Sequence, residues 1–308
     1  MAKNPVFQTF SLTKEYKGFK AVDAVSMNIF EGDIYGFVGE NGAGKTTLIR
    51  LACGLIHPTS GEYALFGASN KSNAISNEQK KVSAIVEAVA INRGLTALDN
   101  LKLQSKIVGI SKSEEELTNL IKEVGLDEKA IAKKKAGSFS LGMRQRLGLA
   151  IALLSDPKFI LLDEPMNGLD PQGFVDMRET ILKLNKKGVT FLISSHILSE
   201  LDKICNRVGF LSHGHLLEEL SIDELHDKTR RKIVIRVKDA EEIKEKLVSA
   251  LDIKEIKVEG NIITIYDLVD INEVMKFFTS KKIDIDSISS SEETIEDYYR
   301  ELMNGGAK

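Results

Sequence analysis

Eight consecutive residues constrain this chain more than any others: Gly39-Glu40-Asn41-Gly42-Ala43-Gly44-Lys45-Thr46. They follow an apolar run, Asp33 to Val38, that reads as a strand, and they open a helical pattern from Lys45 to Cys53. Glycines let the backbone amides turn inward and form an anion nest at a helix N-terminus. The pattern assigns Gly39, Asn41, Gly42, Ala43 and Gly44 to a phosphate cradle. Lys45 is expected to reach the β- and γ-phosphates, the Thr46 hydroxyl to ligate Mg2+, and Thr47 to donate to the α-phosphate. A glycine-rich turn that matched by chance would not carry the flanking strand and helix. Taken alone, the loop predicts only a nucleoside triphosphate.

Around this loop the first two-thirds of the chain alternates apolar runs with helical patterns, as an α/β domain with a largely parallel sheet does. Strands are predicted at Ile34 to Val38, Val82 to Val86, Phe159 to Asp163, Val189 to Ser194 and Arg207 to Leu211. From Ala90 to Ser140 the pattern turns helical and polar, with Glu114, Glu115 and Glu116 on a solvated face, which predicts a helical subdomain over about 90–145. Beyond Ser221 the character changes. Strands are expected at Lys232 to Val237, Ile253 to Val258, Asn261 to Tyr266 and Ile283 to Ile288, with a hairpin turn at Glu259-Gly260. Helices are expected at Ala240 to Ala250, Asn272 to Phe278 and Glu292 to Met303. The order β-α-β-β-α-β plus a helix predicts a small ferredoxin-like α+β domain. The boundaries are thus 1–220 and 221–308.

The 308 residues, 43% hydrophobic and 28% charged, suffice for one large and one small domain. A net charge of -3 argues against a nucleic-acid partner. Cys53 and Cys205 lie far apart without metal-ligand spacing, which fits a reducing compartment. Neither a signal peptide nor a bilayer-length apolar run is expected; the best run, Leu147 to Leu154, is short and broken by Gly148.

A second motif, Phe159-Ile160-Leu161-Leu162-Asp163-Glu164, is an apolar strand ending in two acids. The strand places Asp163 at a sheet's C-terminal edge, where ligands bind in such folds. Asp163 is assigned to Mg2+, and Glu164 to orienting the attacking water and accepting its proton. A strand ending in two solvated acids is common in isolation, but not at this distance from a phosphate loop.

Phe139-Ser140-Leu141-Gly142-Met143-Arg144-Gln145-Arg146 resembles the signature of ABC ATPases, with Ser140 and Gly142 in matching positions and Leu141 and Met143 departing from the usual Gly and Gln. Asn167-Gly168-Leu169-Asp170 is similar to that family's D-loop, and Ser194-Ser195-His196 to its switch-histidine motif. Tyr16 matches the aromatic residue that stacks on adenine, although a packed strand aromatic is its plainer reading. Where the family carries a glutamine after the strand Val82 to Val86, this chain carries Glu87, an E-loop similar to the bacitracin-resistance and lantibiotic-immunity branch. A carboxylate can ligate Mg2+ but lacks the amide donor; neutral drift is the alternative.

The resemblance, over residues 6 to about 220, implies a P-loop NTPase of ABC type that binds ATP and Mg2+. Glu164, His196 and Glu87 would be catalytic; Thr46, Asp163 and Glu87 would hold the metal; Asp170 would lie at a subunit boundary. One phosphate loop and one signature imply a dimer in which Ser140 of one copy meets the nucleotide of the other. The resemblance further implies a separate polytopic permease and a cytoplasmic place on the inner face of the cell membrane. A peptide antibiotic, lipid-like or drug-like cargo stays open, as does a soluble ABC ATPase or a regulator without transport. Lys133, Lys134 and Lys135 read as a solvated loop, His213 and His215 as turn residues, and Cys53 as packing. Glu292, Asp297, Tyr298 and Tyr299 read as the last helix of the small domain.

Overall fold

The computed structural model describes residues 4–127, 132–228, 231–266, 269–292 and 295–305. It divides into two compact units, Met1–Ile222 and Asp223–Lys308. The first runs β1 (Pro5–Tyr16), β2 (Phe19–Val25), β3 (Asn28–Phe30), β4 (Ile34–Val38), α1 (Lys45–Ala52), β5 (Ser60–Leu65), β6 (Ala68–Ser69), α2 (Ile75–Gln79), β7 (Val82–Ile85), α3 (Ala97–Val108) and α4 (Glu114–Glu123). It continues through α5 (Leu141–Ala152), β8 (Phe159–Asp163), α6 (Pro171–Lys186), β9 (Thr190–Ser195), α7 (Leu198–Leu201), β10 (Arg207–Ser212) and β11 (His215–Ser221).

The expected sheet is present, in the order β11-β10-β4-β9-β8-β7. Neighbouring strands are parallel from β10 to β7, and β11 closes one edge antiparallel. Every residue of β4, β8 and β9 is buried, which is why these strands read as continuous apolar runs rather than alternating ones. A second sheet, β2-β1-β5-β6 with β3 on β1, was not predicted. Its Phe7, Leu12 and Ile29 share one core with Phe37, Leu48 and Phe159, and the Phe7 and Phe159 rings stack with centroids 6.2 Å apart.

Helices α3, α4 and α5 pack on one another in the expected helical region. Thr96 caps α3 by accepting from the Asp99 amide, and Gly109, at φ +71°, ends it. Ser113 and Glu116 form a reciprocal capping box on α4, whose Glu114, Glu115 and Glu116 are exposed as read. Hydrogen bonds from the Ser113 amide and hydroxyl hold the Glu116 carboxyl below the usual range.

Helix α8 (Ile222–Lys228) begins at the boundary, and the second unit continues with β12 (Arg231–Arg236), α9 (Ala240–Leu251), β13 (Ile256–Glu259), β14 (Ile262–Ile265), α10 (Ile271–Lys281), β15 (Ser287–Glu292) and α11 (Ile295–Gly305). Its sheet is antiparallel throughout, in the order β13-β14-β12-β15, which is the ferredoxin-like arrangement expected. Ile233, Ile235, Ile263 and Ile265 alternate onto one face and meet Leu247, Val274 and Phe278 of α9 and α10. Lys232 and Lys257 point the other way and pair with Asp297 and Glu301 of α11 at 2.5 and 2.9 Å. The last strand lies later than predicted, at Ser287–Glu292 instead of 283–288, because pairing with β12 carries its serines into the sheet. No helix among the described residues is long and apolar enough to cross a membrane.

Candidate nucleotide-binding site

Strand β4 ends at Val38, and the glycine-rich loop turns from it into α1. A Cβ on Gly44, at φ +108°, would lie 2.1 Å from the Ala21 carbonyl oxygen, and one on Gly39 would lie 2.5 Å from that of Leu211. Only glycine fits at either position. The loop wraps the Lys45 ammonium, which donates to the carbonyls of Gly39 at 2.5 Å and Glu40 at 3.2 Å.

Beside α1, β8 delivers Asp163 at its C-terminal end, 6% exposed. Its Oδ2 accepts from the Thr46 hydroxyl at 2.7 Å, and its Oδ1 from the Ser194 hydroxyl at 2.6 Å. Buried carboxylates require such donors. Glu164 follows in a left-handed turn, φ +49°, with its amide on the Ser194 hydroxyl at 3.0 Å. Glu164 Oε1 stands 3.3 Å from Lys45 as an ion pair without hydrogen-bond geometry, and Oε2 stands 2.9 Å from His196 Nδ1. Lysine, glutamate and histidine thus form one row across the strand ends.

A cavity of about 350 Å³ opens over this row, lined by Tyr16, Phe19, Asn41, Lys45, Thr46 and Thr47 among others. Tyr16 and Phe19 face each other across the tight turn Lys17-Gly18, both of whose residues have positive φ. The two residues are 42% and 61% exposed, and the Lys14 ammonium stands over the Tyr16 ring, 5.0 Å from its centroid. A larger cavity, about 570 Å³, opens at the opposite end of the parallel strands near Phe66, Lys158 and Thr190. Its lining includes none of the motif residues, so chemistry rather than volume selects the smaller one.

Eight predicted residues are absent from the cavity lining: Gly39, Ala43, Asp163 and His196 belong to the loop and strand ends already described, and four others stand apart. Ser140 caps α5, accepting from the Met143 amide at 3.2 Å, and Asp170 caps α6, accepting from the Gly173 amide at 2.9 Å. Gly142 packs near Leu169, and Leu141 near Gly168, so signature and D-loop form a separate surface of the same chain. Glu87 is the fourth: its side chain is 63% exposed and its carboxylate accepts from Arg50 at 2.5 Å. Sequence reasoning passed over Phe19, Arg50 and the double role of Ser194. Only Ser194 carried a signal, since it stands two residues before His196 on a buried strand.

Thr46 and Asp163 bring a hydroxyl and a carboxylate oxygen into contact, the hard oxygen pair that suits Mg2+ with phosphates and water completing the shell. Cys53, just past α1, is pushed up to about 12 by burial and stays a neutral thiol.

A strand, a glycine-rich loop, a helix and an acid closing a second central strand define a P-loop nucleoside triphosphatase. The ABC transporter family model matches residues 22–167. The bacitracin transport ATP-binding protein BcrA of Bacillus licheniformis is 40% identical over 307 residues, covering 98% of each chain. The lantibiotic transport ATP-binding protein SrtF of Streptococcus pyogenes is 38% identical over 213 residues, 69% of this chain and 90% of its own. A solved dimeric bacterial ABC transporter cassette superposes with TM-score 0.62 at 25% identity, over 70% of this chain and 98% of that one. This chain belongs to the ABC transporter family as an ATP-binding subunit, and it is an ATPase.

Proposed function

We propose that the chain powers export of a peptide antibiotic, of the bacitracin or lantibiotic kind, through a separate polytopic permease at the inner face of the cell membrane. The observation that carries the cargo class is similarity to a bacitracin transport subunit over 98% of both chains, including the small C-terminal domain. The 1–220 and 221–308 division assigns ATP hydrolysis to the first part.

In this reading, adenine stacks on Tyr16, with Phe19 beside it. The phosphates settle on the amides of the loop from Gly39 to Gly44, with Thr47 donating to the α-phosphate. Thr46 and Asp163 would hold Mg2+, which supplies charge neutralisation for the leaving phosphates. Lys45 gives up its contacts with the Gly39 and Glu40 carbonyls and with Glu164 to bind the β- and γ-phosphates. Glu164, freed from Lys45 and still oriented by His196 and its own amide, takes the proton of the attacking water. Ser140 and Gly142 of a second copy close the site, with Asp170 at the boundary; a helix N-terminus bearing a hydroxyl suits a γ-phosphate.

Glu164→Gln tests the chemistry. Removing a positioned base is expected to lower ATP turnover by about 10²–10⁴-fold, while ATP-dependent dimerisation, followed by size-exclusion chromatography, survives. Turnover near that of the unaltered chain would disprove the role of Glu164. Bacitracin and lantibiotic susceptibility of cells lacking this chain tests the cargo; unchanged susceptibility to both refutes it.

A further inference from the structure

We infer that Arg50 is a positioning residue for Glu87: their ion pair holds this carboxylate off the phosphate cavity until a metal–nucleotide complex draws it in. The inference rests on the proposed reading that the segment after β7 faces the metal.

The backbone brings Glu87 to the right place. Strand β7 pairs with β8 in the register Ile85↔Leu162, so the chain leaves the sheet beside Asp163. The side chain nevertheless does not line the cavity and meets the Arg50 guanidinium at 2.5 Å. Arg50 lies one helical turn beyond Thr46 on α1, so the two share a face of the helix that begins at the phosphate loop. A carboxylate in place of an amide would put a third acid next to Asp163, Glu164 and the polyphosphate. The guanidinium supplies the counter-charge that a glutamine would not need.

The segment is built to change conformation. Glu87 has φ +62°, and the Ala88 amide donates to the Val86 carbonyl at 2.7 Å, which makes a strained γ-turn centred on Glu87. Both partners are partly solvated, so the pair is weak enough for a doubly charged cation to displace. Arg50 therefore sets where the carboxylate rests and how much metal is needed to recruit it.

The test measures Mn2+ binding to the full-length chain with a non-hydrolysable ATP analogue, by the loss of free Mn2+ signal in electron paramagnetic resonance. Arg50→Gln removes a competitor for the carboxylate, so half-saturation is expected to fall about two- to fivefold. Arg50→Lys keeps an ion pair and is expected to match the unaltered chain, which also separates pairing from folding. In Glu87→Gln, Mn2+ binds more weakly, and adding Arg50→Gln changes nothing further. If Glu87→Gln alters Mn2+ binding but Arg50→Gln shifts it equally in both backgrounds, raises it or leaves it unchanged, the proposal about Arg50 is overturned. Should Glu87→Gln itself leave Mn2+ binding unchanged, the metal-facing reading fails and takes the proposal with it.

Discussion

Gly148, midway along α5, is where a single methyl group decides a sign. A Cβ there would lie 2.5 and 2.9 Å from the two Val89 methyls and 3.2 Å from the Val89 Cβ. Carbon atoms at rest stand about 3.5–4.0 Å apart, so Gly148→Ala forces about 1 Å of movement into the segment that carries Glu87. Overpacking of this kind costs about 1–3 kcal/mol. Against it, alanine gains about 0.8–1.0 kcal/mol over glycine within a helix. The net expectation is a loss of about 1 kcal/mol, or about 2–4 °C in the midpoint of a domain of this size. In a Val89→Ala background the methyls are gone and the helix term prevails, so the same substitution should raise the midpoint. The chain has no tryptophan, so circular dichroism at 222 nm is the suitable probe. With two compact units, the relevant transition is the one that ATP moves upward. A shift of the same sign and size in both backgrounds would refute the contact.

Two further outcomes follow from the site. Ser194→Ala removes the donor to Asp163 Oδ1 and the acceptor of the Glu164 amide; a hydrogen bond to a buried carboxylate is worth about 1.5–3 kcal/mol. The ATP-sensitive transition should fall accordingly, and a change below about 0.5 kcal/mol would contradict the pairing. Cys53, raised to about 12 by burial, carries much less thiolate at pH 8 than an ordinary thiol. Iodoacetamide should label it slowly in the native chain, faster as pH rises toward 12, and readily after unfolding. Native labelling at the unfolded rate, located by peptide mapping, would overturn its burial.

The parts of this protein that are legible in sequence are those whose physics is local. Buried parallel strands must be apolar throughout, so β4, β8 and β9 announce themselves, and a turn that requires glycine at Gly44 cannot be written otherwise. The antiparallel sheet escaped because β1 pairs with β5 nearly sixty residues on, as in Phe7↔Leu65, and its bulges break the alternation. The run Ser289-Ser290-Ser291 carries no strand signal, so the expected strand stops at Ile288; pairing with β12 makes β15 run on to Glu292. Glu87 shows the same limit at the site. The family resemblance assigned it to the metal, whereas its carboxylate meets Arg50, 37 residues earlier in the chain.

The ion pair between Lys45 and Glu164 means that the pocket's principal cation already has an anion of its own. In the proposed cycle an incoming triphosphate competes with a tenant rather than filling a vacancy. Ligands too short to reach Lys45 leave the pair closed. A ligand that does reach it opens the pair and, in the same displacement, arms the base. Recognition and ignition would then be one event, and a triphosphate would be told from a monophosphate by which of them can turn the lock.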